Sequence, residues 1–299
     1  MLRRILRKIA AFGERPLFLW LLFLCVGVPR FVGPILAANR SLWLDEAWVA
    51  NSVLGDSLAD MFYYPTFLQT SPPFFLLLVR VLVHIFGLSN WSFRIVPSAM
   101  QILFALGMVM LARKTLSGPF AALAWTLCVI NPVILEYSIQ LKQYTTEAAA
   151  SVALLLLALR YLSDPSRRRF LWLAGGAVLC QLFSYPSVFL LPGIILAVGF
   201  RRYPELRDLP AVQDARKGGW LETIRGLLDS LEQRWHRAGS LAVATAVVFL
   251  IEYVLLVIPN SSPALSKSWF DGRMAIMGRP VSALDAFERF TVFLSLPDP

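Results

Sequence analysis

The sequence predicts an all-α protein: a polytopic transmembrane helix bundle of about seven spans, with one further helix lying at the outer interface. Three observations predict it. Of 299 residues, 57% are hydrophobic and only 16% charged, and the mean hydropathy is +0.63. Soluble domains carry about a quarter charged residues, so this chain lacks the groups that keep a protein surface wet. The apolar residues fall in runs near the ~20 residues that cross a bilayer, and basic residues collect between alternate runs. These features exclude a cytosolic enzyme, a disordered tail and a secreted disulfide scaffold. A net charge of +9 would suggest nucleic acid in a soluble protein. Here it marks loops held on the cytoplasmic side, and no nucleic-acid partner is expected.

The expected spans are 17–38, 94–112, 118–135, 145–162, 169–184, 186–200 and 239–258. The first follows a basic stretch, 1–15, that has the character of a signal-peptide leader. Its apolar run is longer than a leader's, so it is read as an uncleaved first span with the N-terminus cytoplasmic. Ser184-Tyr185-Pro186-Ser187 separates the fifth and sixth spans, because proline favours a break there. Cys25, Cys128 and Cys180 all lie inside apolar runs without a Cys-x-x-Cys pair, and are read as small buried hydrophobes.

The run 72–86 is too short for a comfortable span and carries Arg80 and His84. If it crossed, the basic loops at 113–114, 167–169 and 201–238 would all move outside, against the positive-inside bias. It is therefore expected at the outer interface or re-entering it, with Arg80 snorkelling to the headgroups. Loop 201–238 carries an apolar stripe from Trp220 to Trp235 flanked by bases, which suits the inner leaflet. The organisation is then a transmembrane domain over 1–258 and an external segment over 259–299. The chain is expected to be incomplete beyond it, because no closing span follows.

On the outer face, Asp45 and Glu46 stand directly after the first span, framed by Trp43 and Trp48. Two adjacent carboxylates beside hydrocarbon are expensive to desolvate unless they are paired or working. The alternative is that they simply begin an interfacial helix, since acids favour a helix N-terminus. A second outer segment runs from Glu136 to Glu147 and includes Tyr137, Lys142 and Tyr144. Carboxylates supply a base or metal ligands, and lysine supplies a point charge for phosphate. Lys142 and Glu147 are therefore expected to face the first-segment acids. Glu252, inside the last span, is either functional or snorkelling to the interface.

These residues resemble a known pattern. An Asp-Glu pair after the first span is followed by Pro72-Pro73 opening an apolar helix. Then come Phe86-Gly87-Leu88-Ser89, Phe93-Arg94-Ile95-Val96-Pro97 and Leu141-Lys142-Gln143-Tyr144. In this order they resemble the GT-C glycosyltransferases that use polyprenyl-phosphate sugars. The nearest group is the bacterial family 39-like proteins, related to protein O-mannosyltransferases and lipid A aminoarabinose transferases. The resemblance covers roughly residues 15–200. It implies a GT-C-like fold in a bacterial cytoplasmic membrane, with the site on the outer face. It implies sugar transfer from a polyprenyl-phosphate donor to an acceptor hydroxyl on a lipid, glycan or protein. Asp45, Glu46 and Glu147 carry over as catalytic residues, and Lys142, Tyr144, Arg94, Pro72 and Pro73 as substrate-binding ones. Some relatives bind a divalent metal ion at these acids, so a divalent cation is the cofactor implied. Two other readings stand beside it: a transporter or flippase, and a non-catalytic truncated relative serving as a membrane subunit.

Overall fold

The computed structural model describes residues 40–63, 70–200 and 220–260, with backbone alone for 118, 130 and 220–231. Among the described residues the regular secondary structure is all helix, without a strand. The expected span 17–38, the stretch 201–219 and the external segment beyond 260 lie outside the described residues.

The helices are α1 (Leu44–Val53), α2 (Leu58–Phe62), α3 (Pro73–Phe86), α4 (Ile95–Thr115) and α5 (Gly118–Ile130). Then follow α6 (Pro132–Ser138), α7 (Tyr144–Ser163), α8 (Arg167–Phe183), α9 (Leu191–Gly199) and α10 (Trp220–Glu252). Local chemistry starts and stops them. Asn131 caps α6 by accepting from the N–H groups of Val133 and Ile134, with Pro132 at the first position, where no N–H is needed. Ser57 and Ser166 cap α2 and α8 in the same way. Gly87 ends α3 at φ +81°, a conformation open to glycine at little steric cost.

Among the described residues, three helices are long and apolar enough to cross a membrane: Ser92–Thr115, Tyr144–Ser163 and Glu232–Asn260. They correspond to the expected spans 94–112, 145–162 and 239–258. The expected span 118–135 is α5 and α6, bent by 54° at Asn131, and makes a fourth if the pair counts as one broken span. The stretch 186–200 begins as a 3-10 turn, Tyr185–Phe189, and continues as the short α9. One expectation is reshaped. Residues 220–238 are continuous with the last span in the 33-residue helix α10, which no proline interrupts.

Packing follows these elements. α4 lies along α7 and α5, α7 along α8, and α8 and α9 along α10. One core joins α7, α8, α9 and α10 around Leu154, Leu173 and Leu241. A second lies between α4, α5 and α6, where buried Trp125 donates from Nε1 to the Ala105 carbonyl at 3.0 Å. The third gathers α1, α2 and α3 around Val49, Met61, Phe75 and Val79, together with Phe93, Val96 and Leu141. The polar centre forms at the edge of this third core.

Arg80 corrects the sequence expectation. Rather than reaching for headgroups, it donates from Nη1 to the carbonyls of Val53 (3.3 Å), Gly55 (2.8 Å) and Ser57 (3.4 Å). The first two carbonyls lie at and just beyond the end of α1, where helical partners have run out, and the third, on the N-cap of α2, also accepts from the Met61 N–H. Gly55 permits the tight turn, since a Cβ there would stand 2.9 Å from that of Asp60. Arg80→Met should therefore loosen the turn between α1 and α2, lowering stability by about 1–3 kcal/mol. Limited proteolysis should cut near 54–58 faster than in the wild type. An unchanged rate there would mean that Arg80 does not secure the turn.

Candidate functional site

The site is assembled from three stretches of chain: the start of α1, the 3-10 turn Ser92–Arg94 before α4, and the link 139–143 before α7. Asp45 and Glu46 occupy the first turn of α1, so they do begin a helix, and Glu46 Oε2 accepts from the Trp43 N–H at 3.2 Å. Beyond that, the two acids face different partners.

Glu46 is fully buried and Arg94 is 1% exposed. Arg94 Nη2 lies 3.1 Å from both carboxylate oxygens of Glu46, and Nε lies 3.3 Å from Oε1. The remaining Arg94 donors reach backbone oxygens, Nη1 to Arg40 at 2.7 Å and Nη2 to Ser41 at 3.4 Å. Glu46 Oε1 also accepts from the Leu141 N–H at 2.7 Å. A buried ion pair offsets its desolvation only when its remaining hydrogen-bonding capacity is satisfied, and here it is. The pair ties segments 48 and 95 residues apart. The sequence reading gave Glu46 to catalysis and Arg94 to substrate; in the structure each is taken up by the other.

That bond sets the neighbouring register. With Leu141 held on Glu46, Lys142 comes beside Asp45, Nζ to Oδ2 at 3.4 Å. The Asp45 side chain is 40% exposed and that of Lys142 13%. The pair joins the two segments that the sequence reading expected to face one another. Arg40 and Glu136 add a more exposed pair at 2.7 Å between the same segments, with Gln140 also donating to Glu136 at 3.0 Å.

Tyr144 and Glu147 stand in the first turn of α7. Tyr144 is exposed, packs on Tyr137 with ring centroids 4.5 Å apart, and lies within electrostatic reach of Asp45 and Glu147. Pro72 and Pro73 are buried and open α3, so neither carries a polar group toward a substrate. Their neighbour Ser71 donates to Gln143 Oε1 at 3.4 Å, and its carbonyl accepts from the Tyr185 hydroxyl at 3.1 Å. Tyr185 was not among the residues that the sequence singled out; its only signal was a tyrosine inside the proline break between two apolar runs.

A divalent cation does not fit these residues. Each of the adjacent acids already faces a cationic side chain, and among the described residues no three His, Cys, Asp or Glu side chains converge.

The fold is that of a multi-pass helical membrane protein, with a charge-paired centre where the start of α1, the turn before α4 and the link before α7 meet. Residues 70–206, a little under half of the chain, match the family described as dolichyl-phosphate-mannose-protein mannosyltransferase. The GT-C resemblance therefore holds over this segment. No curated protein and no solved structure matches the chain.

Proposed function

We propose that this protein transfers a sugar from a polyprenyl-phosphate donor to an acceptor hydroxyl at the outer face of a bacterial cytoplasmic membrane. The observation that carries this reading is the partly exposed Asp45–Lys142 pair, seated beside a buried pair that holds it in register. The polyprenyl tail partitions into the bilayer, so the membrane delivers the donor to this edge of the bundle. The positive-inside bias of the basic loops at 113–114 and 167–169, with α3 read at the outer interface, supports assigning the pair to that face.

In this reading Lys142 meets the donor phosphate, and Tyr144 packs beside it. Drawing the ammonium toward phosphate leaves the Asp45 carboxylate to accept the proton of the acceptor hydroxyl. The acceptor oxygen bonds to the anomeric carbon as the bond from that carbon to the phosphate oxygen breaks. The electron pair leaves with the phosphate, whose charge Lys142 stabilises. One displacement inverts the anomeric centre. Glu147 faces the sugar, while Glu46 and Arg94 act through the positions of Asp45 and Lys142.

The direct test is transfer of labelled sugar from polyprenyl phosphate by the purified protein in detergent, where no gradient can drive transport. Transfer with inversion is expected; transport in vesicles without transfer in detergent would overturn the reading. Lys142→Ala should raise the donor KM about tenfold, the loss of one charge-assisted contact. Its melting temperature should barely move, because a partly exposed pair contributes only ~1 kcal/mol or less. An unchanged donor KM would remove Lys142 from the phosphate site.

A further inference from the structure

The end of the bundle away from the Asp45–Lys142 pair carries charge that the proposed reaction does not use. α7 starts two residues after Lys142 and runs 20 residues, about 30 Å, to the turn that leads into α8. Arg160 precedes that turn, and Arg167, Arg168 and Arg169 follow it in the first turn of α8. A helix N-terminus carries positive partial charge, so three arginines there are unfavourable unless an anion joins them.

Some of this charge is already engaged. Arg169 Nη1 pairs with Asp164 Oδ2 at 2.8 Å and donates to the carbonyls of Asp164 (3.3 Å) and Arg160 (3.4 Å). Arg237 of α10 donates from Nη1 to the Tyr161 hydroxyl and the Pro165 carbonyl, both at 3.3 Å, and lies over the Phe170 ring. These contacts brace the turn and hold α10 against it. Arg160, Arg167 and Arg168 are exposed, and among the described residues no carboxylate stands within ion-pair distance of them.

Beyond these charges α8 presents a face that suits lipid. Residues three and four apart share a helix face, so Arg168, Trp172, Gly175 and Leu179 form one ridge. All four are exposed, Trp172 at 62%. A Cβ at Gly175 would meet nothing within 4 Å, so the ridge drops to a notch between the indole and Leu179. Arg167 stands beside Arg168, with exposed Leu171 one turn on. Along the helix axis the order is cation, amphipathic ring, apolar notch. A phospholipid has the matching order along the membrane normal: phosphate, glycerol backbone, acyl chain.

We propose that the start of α8 binds an anionic phospholipid of the leaflet opposite the charge-paired centre, with its phosphate on Arg167 and Arg168 and an acyl chain over Trp172 and Gly175. Charge complementarity selects this occupant. A zwitterionic headgroup brings its own cation and leaves the arginines unneutralised, whereas phosphatidylglycerol brings a net negative charge. The apolar notch directly beyond the cations favours an anion with a chain attached over a free one. The site does not depend on the donor reading above.

The test is quenching of Trp172 by brominated lipid, with the full chain reconstituted in phosphatidylcholine vesicles. The chain has nine tryptophans, so the Trp172 signal is the difference made by Trp172→Phe in each background. Brominated phosphatidylglycerol should reach half-maximal quenching at a mole fraction about five- to thirtyfold below that of brominated phosphatidylcholine, the worth of one or two arginines near a lipid charge. Arg167→Gln with Arg168→Gln should erase that difference, and because both side chains are exposed the fold should survive. Arg113→Gln with Lys114→Gln removes equal charge from the end of α4, which lies along α7 and α5, and should leave the difference intact. Equal quenching by the two lipids, or equal losses in the two double variants, would overturn the site. So would loss of the preference in millimolar inorganic phosphate, which would assign the arginines to a free anion. No quenching of Trp172 by either lipid would mean that protein covers this face, and would overturn the site as well.

Discussion

Arg94→Met is expected to destabilise the protein by about 3–5 kcal/mol, a large share of the 5–15 kcal/mol that holds a typical domain folded. The substitution nearly preserves side-chain volume but leaves the Glu46 carboxylate buried without its cation. It also strips the carbonyls of Arg40 and Ser41 of a donor. The loss should appear as a lowered thermal midpoint in detergent of fixed composition. Glu46→Gln introduced into Arg94→Met should recover part of it. The amide oxygen can still accept from the Leu141 N–H, and no bare charge remains. If Arg94→Met melts with the wild type, or the second substitution worsens it, the buried pair does not secure this end of the bundle.

Asp45→Asn should lower the rate of transfer about 10²–10⁴-fold, the usual contribution of a positioned general base. Asparagine keeps the shape of the side chain but cannot take the acceptor's proton. Its pair with Lys142 is 40% exposed on the aspartate side, so the melting temperature should fall by the equivalent of ~1 kcal/mol at most. Donor binding should persist, because Lys142 remains in place. The contrast with Arg94→Met separates the two adjacent acids: one change removes chemistry from a folded protein, the other removes the fold around an intact base. Full transfer by Asp45→Asn would assign the base elsewhere.

The two acids also show how far the sequence could be read. Asp45 and Glu46 look alike on paper, adjacent carboxylates at the start of one helix. Successive residues on a helix are ~100° apart, so the two point in different directions. One turns inward to Arg94 and Leu141, and the other outward to Lys142. Arg94 was legible as a charge at the head of a span, and a buried arginine calls for a carboxylate, but several acids were available. Arg80 was similar: its position in an apolar helix was plain, whereas its three carbonyl partners exist only once α3 packs against the end of α1.

The sequence by itself determined the helical membrane class and the main spans. Apolar runs of membrane length have no other stable solution, and each such helix satisfies its own backbone. It also singled out Asp45, Lys142 and Glu147 as the candidates for chemistry that the proposed function uses. Only the tertiary structure decided which segments meet. The contacts between residues 46, 94 and 141 span up to 95 positions, and no periodicity in a chain encodes a register at that distance. That register follows from how α1, α3 and α4 pack, and it turns one acid into a fastening and leaves the other partly exposed beside Lys142.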